Sequence, residues 1–272
     1  MRKEIELAKY LYNFKIRLLN MKEYRFNTLL EVAFGNLEMF ITIMFWIVIY
    51  KSNQLQQINS FELKETITYF VMYSITSKFV LSSSGFNFSD LIKSGKLSSV
   101  LIKPYSINLS TFFIGVADAI TESVPQIIFV VILYPMANGY IVLLNDIVNL
   151  LFMLLFLLFS TIISHLIWCI VGCLAFWVEE TMAIMWTVEV IFSFLSGQYL
   201  PLDFFPEVMR NVIEYCPWSC FGYIPVKIFL GHYTIGTMTK FVVIYLMWIV
   251  ILKIVFDFVW NKGNKHYAAV GG

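Results

Sequence analysis

Charge is scarce in this sequence. Lys, Arg, Asp and Glu together make up 14% of 272 residues, where soluble domains carry about 25%. The formal net charge is +1, so no bulk attraction to nucleic acid exists. The three histidines, His165, His232 and His266, are scattered, and no HExxH, GxSxG or acidic metal motif accompanies them. A phosphate loop is missing too: Gly95-Lys96 is followed by Leu97, not Ser or Thr. Nucleotide hydrolysis by that route is therefore excluded. The four cysteines, Cys169, Cys173, Cys216 and Cys220, form no CxxC pair. They read as small packing residues, with a metal site or a disulfide as alternatives. The first 27 residues contain neither an uninterrupted apolar run nor a small-residue cleavage site, so they are not read as a signal peptide. No internal repeat, heptad run or low-complexity tract is evident.

Apolar residues fill the space that charge leaves, at 59% of the chain. A membrane-crossing helix needs about 20 mostly apolar residues. Six segments are candidates, over residues 29–50, 66–81, 107–136, 147–177, 181–200 and 238–260. The second is short and polar; the third and fourth exceed a bilayer's need and are expected to tilt or project. The expected fold is an all-α polytopic membrane protein forming a single domain over 1–272. Its parts are an amphipathic segment over 1–27, six spans over 28–260 and a tail over 261–272. Such a chain cannot by itself be a soluble enzyme.

Lys and Arg are enriched in cytoplasmic loops. Seven fall within residues 1–27, and Lys93, Lys96 and Lys103 follow the second span. Lys262 and Lys265 lie in the tail. Both termini and the loop near residue 90 are thus expected on the cytoplasmic side of a bacterial inner membrane. Leu7, Leu11, Phe14, Leu18 and Met21 recur at helical spacing opposite Glu6, Lys9, Asn13, Arg17 and Asn20. That pattern suits an interfacial helix with a basic face, or a helix docked on a soluble partner. Pro201, Pro206, Pro217 and Pro225 fall between the fifth and sixth spans. Each interrupts helical hydrogen bonding, so this segment reads as broken, partly re-entrant short helices at the outer face, or as a plain loop.

Polar residues inside spans mark candidate chemistry. Thr111, Gly115, Asp118, Glu122 and Pro125 share one stripe of the third span. Asp118 and Glu122, at i and i+4, project from one face. An ionisable group in a span is expensive and faces a partner or a wet cavity. The pair reads as a substrate or proton pathway, or as a wet helix end near the headgroups. Glu189 with Ser193 and Ser196 forms a second stripe, and Glu31, Gly35 and Glu38 a third; helix–helix glue is the competing reading for these. Near residue 90 the sequence reads as a short capped helix. Asn87 or Ser89 serves as N-cap, Asp90 occupies the first turn, Lys93 the last, and Gly95 the C′ position. Phe88, Leu91 and Ile92 give it an apolar side, as a docking element or a surface-lying helix would have.

Three stretches resemble a known family. They are the run from Leu91 through Gly95-Lys96 to Lys103-Pro104; Ser196-Gly-Gln-Tyr-Leu-Pro-Leu-Asp-Phe-Phe-Pro206 continuing to Gly231; and the tail from Trp260 with Gly263, Tyr267 and a terminal glycine. With the six-span order, they resemble the permease subunits of ABC-2-type transporters of about 260–270 residues whose ATPase is a separate polypeptide. The resemblance implies an elbow helix at the N-terminus, a coupling helix over 87–95 that enters a groove on the ATPase, and re-entrant outer helices. It also implies a second permease, identical or distinct, and ABC ATPase subunits that hold the ATP and Mg; no cofactor is expected in this chain. The partners expected are those subunits and membrane lipid. The expected function is ATP-driven export of an amphiphilic or hydrophobic substrate. A lipid-modifying membrane enzyme would instead require clustered His or metal-binding acids at one interface, and a scaffold or immunity protein would require no turnover.

Overall fold

The computed structural model describes residues 12, 14–16, 25–54, 56–58, 61–103, 106–137, 139–142 and 146–270. The amphipathic segment expected over 1–27 lies almost wholly outside these residues. In chain order the helices are α1 (Arg25–Ser52), α2 (Leu63–Thr76), α3 (Ser83–Lys93), α4 (Leu97–Leu101) and α5 (Ile107–Leu133). They are followed by α6 (Ile147–Gly172), α7 (Thr181–Leu195), α8 (Glu207–Ile213), α9 (Tyr223–Phe229) and α10 (Ile235–Val270). A two-residue hairpin, β1 (Gln57–Ile58) and β2 (Phe61–Glu62), joins α1 to α2.

Helix ends follow local chemistry. The Ser106 hydroxyl accepts from the Leu109 N–H, and the Asp146 carboxylate accepts from the Val148 N–H at 2.9 Å. These caps satisfy N–H groups that have no partner within α5 and α6. Glu65 accepts the Glu62 N–H at 3.1 Å and closes the start of α2. Gly95, at φ +71, stops α3 in the left-handed conformation expected of it.

Among the described residues four helical stretches are long and apolar enough to cross a membrane: Ala33–Ser52, Ile107–Leu133, Ile147–Phe176 and Ile235–Tyr267. The segments expected as the second and fifth spans are helical but shorter. α7 has 15 residues, or about 22 Å at 1.5 Å per residue. α2 has 14 residues and gives way to a 3-10 turn over Ser77–Phe79 and an extended Val80 before α3 begins.

α2 and α3 together accompany α5 along most of its length. Reading down the pair, the Thr68 hydroxyl accepts from the Val142 N–H, and Ser74 bonds Gln126. Lys78 then meets Glu122, Leu81 packs at Gly115, and Ser84 bonds His165, which bonds Asn108. The chain from 63 to 93 thus runs alongside α5 with a break at 77–82. This corrects the expected short capped helix over 87–95. α3 starts at Ser83, so Asn87 and Ser89 lie within it and cap nothing; the Ser89 hydroxyl bonds that of Thr181 instead. α3 lies directly on α6, where a Cβ on Gly85 would sit 2.6 Å from the Trp168 carbonyl oxygen, and one on Gly172 2.6 Å from that of Gly85. Only glycine at both positions permits that approach.

Two apolar clusters organise the interior. One, built on Trp46, Tyr69, Phe156, Ile224 and Phe241, fills the end that carries the four prolines of 201–225. The other, built on Phe88, Ile92, Leu97, Cys169, Phe176 and Phe256, fills the end that carries Lys93, Lys96 and Lys103. α10 continues through residues 261–270 without a break, and the Tyr267 hydroxyl donates to the Gly95 carbonyl at 3.2 Å.

Candidate functional site

Two adjoining polar cavities, of about 170 and about 220 Å³, open between α1, α2, α5, α6 and α7. Tyr73, Ser77, Lys78 and Gln198 line both. Gly35, Glu38 and Gln126 complete one wall, while Glu122, Glu189, Ser193, Ser196 and Trp168 complete the other. Members of the three polar stripes seen in the sequence, on three different helices, therefore converge on one cleft. Asp118 does not line it, although it sits one turn from Glu122. The Glu31 side chain lies outside the described residues.

Depth decides between a pathway and a wet helix end. Glu122 lies about 22 Å along α5 from Ile107, near the middle of that helix. The break at 77–82 lowers Lys78 to the same level, where its ammonium lies 3.6 Å from Glu122. Their side chains are 26% and 45% exposed in the single chain. An ion pair at that depth, still open to its surroundings, calls for water or a second subunit. Elsewhere in the cleft, Gln198 donates to Glu38 at 3.0 Å. Gln126 donates to Asn36 at 3.0 Å and to Ser74 at 2.9 Å. Glu189 Oε2 and the Trp168 indole N–H have no hydrogen-bond partner among the described residues. Both atoms are buried in the wall of the cleft, each a polar group without its usual partner. Among the described residues no group of three His, Cys, Asp or Glu could hold a metal ion, and all four cysteines are free thiols.

Sequence reasoning missed Lys78, Gln126 and Gln198. Lys78 carried a signal: a lone cation within a weak span, four residues before the Ser82-Ser-Ser-Gly85 run where α3 begins.

The expected docking residues separate into two sets. Phe88 and Ile92 are buried in the apolar cluster at the lysine-rich end, with Phe88 edge-on to Phe256 and Trp260. They cannot serve as surface anchors. Leu91 is half-buried against the same cluster, and Asp90 and Lys93 are exposed. Exposed apolar residues at this end include Leu101 (42%) and Ile102 (85%), further on, and Trp177.

At the opposite end, the prolines punctuate short pieces as expected. Pro201 and Pro206 precede a 3-10 turn (Leu202–Phe204) and α8, and Pro217 opens a second 3-10 turn. α9 is almost entirely buried. Its Lys227 ammonium pairs with Asp203 at 2.8 Å and lies over the Phe61 ring at 5.1 Å. The Tyr223 hydroxyl donates to the other Asp203 oxygen at 2.9 Å, and Tyr233 donates to Glu214. Burial pushes both phenols above their usual range, and the nearby carboxylates push the same way. Both therefore stay protonated as donors.

Long apolar helices around a mid-depth polar cleft define an integral membrane protein of several crossings. A family model described as "ABC-2 family transporter protein" matches residues 37–271. The chain belongs to this family and is the membrane component of an ABC transporter. None of the curated proteins matches the sequence.

Proposed function

We propose that this chain is the permease subunit of an ATP-driven exporter in a bacterial cytoplasmic membrane. It would pair with a second permease and be energised by separate ABC ATPase subunits. The observation that carries this reading is the convergence of three intramembrane polar stripes on one cleft. In this reading the chain crosses six times, with the second crossing broken at 77–82 and the fifth made by the short α7. The lysine-rich end faces the cytoplasm, by the distribution of Lys and Arg. Glu122 and Glu189 line the pathway for an amphiphilic or hydrophobic substrate, and the break lets Lys78 neutralise part of its charge.

Work must reach this pathway through a protein contact, because the phosphate loop is missing. The exposed stretch from the end of α3 through α4 offers the contact: Ile102 and Leu101 as apolar anchors, Asp90 and Lys93 as the charged rim. A desolvated apolar anchor is worth about 2 kcal/mol or more, and rim charges little. Co-expression with candidate ABC ATPases tests this. The wild-type permease should co-purify its ATPase, Ile102→Asp should lose it at unchanged membrane level, and Lys93→Ala should retain most of it. Retention of the ATPase by Ile102→Asp at wild-type stoichiometry would place the contact elsewhere.

A further inference from the structure

An apolar cavity adjoins the polar cleft and shares Met39 with it. It has a volume of about 600 Å³ and is walled on three sides. Met39, Phe40, Ile43, Met44 and Ile47 form a stripe of α1, facing Leu63, Ile67 and Val71 on α2. Val130 and Leu133 of α5 close the third side, with Tyr140 and Ile141 beyond them. Lys51 is its only charged lining residue among the described residues, and it sits in the last turn of α1, exposed, at one extremity of the stripe. From Met39 to Lys51 the stripe measures about 18 Å at 1.5 Å per residue. One leaflet of a bilayer's hydrocarbon core is about 15 Å deep, half of roughly 30 Å. Length, polarity and the placement of one cation at the rim together match one lipid: an acyl chain along the wall and a phosphate beside the ammonium.

We infer that this groove is a binding site for an anionic phospholipid of the leaflet at the proline-rich end. Lys51 selects the headgroup, and α1, α2 and α5 hold an acyl chain. The inference rests only on membrane insertion and is independent of the export reading. Because α2 forms one wall and also leads into the break at 77–82, an occupied groove would brace the helix that precedes Lys78.

Native mass spectrometry of the purified protein tests the site, with phosphatidylglycerol and phosphatidylcholine of identical acyl chains titrated in detergent. The wild type should bind phosphatidylglycerol more tightly. Lys51→Gln should lose about fivefold in phosphatidylglycerol affinity, since one basic residue at a lipid surface contributes on the order of 1 kcal/mol, and phosphatidylcholine binding should hold. Ile67→Trp, which fills the groove, should weaken both lipids about tenfold. Ile47→Trp, at a half-buried wall position that tolerates bulk better, should do the same if Ile67→Trp fails to fold. Equal affinity for the two lipids in the wild type would overturn the headgroup assignment. Unchanged binding in both plugged variants would overturn the site. Crosslinking of Phe40→Cys or Met44→Cys between two copies in the membrane would show a second chain seated there instead, and would also overturn it.

Discussion

The two ends of this molecule are held together by different chemistry. At the proline-rich end, short helices are pinned by buried charge and hydroxyl contacts. Asp203 accepts from both Lys227 and Tyr223, Glu65 pairs with His232 at 3.1 Å, and Tyr245 meets Ser219. At the lysine-rich end, long helices meet by close backbone approach and ring packing, with Gly85 against Gly172 and Phe88 against Trp260. Four prolines forbid continuous helix at the first end, so its freed backbone and buried polar groups must find specific partners. No proline interrupts α3, α6 or α10 at the second, where small residues let surfaces meet. A directional network resists rearrangement. A packed, glycine-lined interface allows helices to slide together, which suits the end proposed to receive a mechanical input.

The largest effect should come from breaking the buried ion pair. Lys227→Met leaves Asp203 without its cation, and a broken buried pair costs about 3–5 kcal/mol. Thermal unfolding in detergent should fall accordingly, whereas Lys227→Met with Asp203→Asn should recover most of the loss. If the double variant is no better than the single, the network is held by shape and not by charge.

Next comes the glycine contact. Gly172→Ala drives a methyl group into the Gly85 carbonyl, and overpacking of this kind costs about 1–3 kcal/mol. The same measurement should show a smaller drop than Lys227→Met. An equal or larger drop would mean that the lysine-rich end is the more rigid of the two.

The smallest effect belongs to Tyr267→Phe. Its hydroxyl bonds Gly95 and Ser98, both at 3.2 Å and exposed, and an exposed bond of this kind contributes about 0.5–1 kcal/mol. Stability should barely change. Coupling to an ATPase should weaken more than stability, because this bond ties the exposed turn to the last helix.

The same contrast explains what could be read from the sequence. The long crossings were legible because Ile107–Leu133, Ile147–Phe176 and Ile235–Tyr267 are apolar over more than a bilayer's thickness. The proline punctuation at 201–225 was legible because proline acts locally. The polar stripes were legible as stripes, since helical spacing fixes a face. Their convergence was not, because it depends on how α1, α5 and α7 are arranged in space. The stretch over 63–93 was misread for a related reason. Its interruption at 77–82 made residues 87–95 look like a free capped helix, when long-range contacts from Ser84, Gly85 and Phe88 hold α3 against α6 and α10. Gly95 was read correctly, because a left-handed stop depends on one residue. Phe88 and Ile92 were read as surface anchors because periodicity identifies an apolar face but not what covers it.

The central claim is that Glu122, Glu189 and the serines beside them line a wet pathway at mid-depth, and cysteine accessibility tests it directly. Ser193→Cys, in the cleft, and Ile128→Cys, on an exposed apolar position of α5 outside the cleft, would be treated with a small hydrophilic thiol reagent in membranes, in a background with the native cysteines replaced. The account predicts modification of Ser193→Cys and little or none of Ile128→Cys. Equal protection of both positions, with the protein folded, would contradict it and leave the three polar stripes as glue between helices.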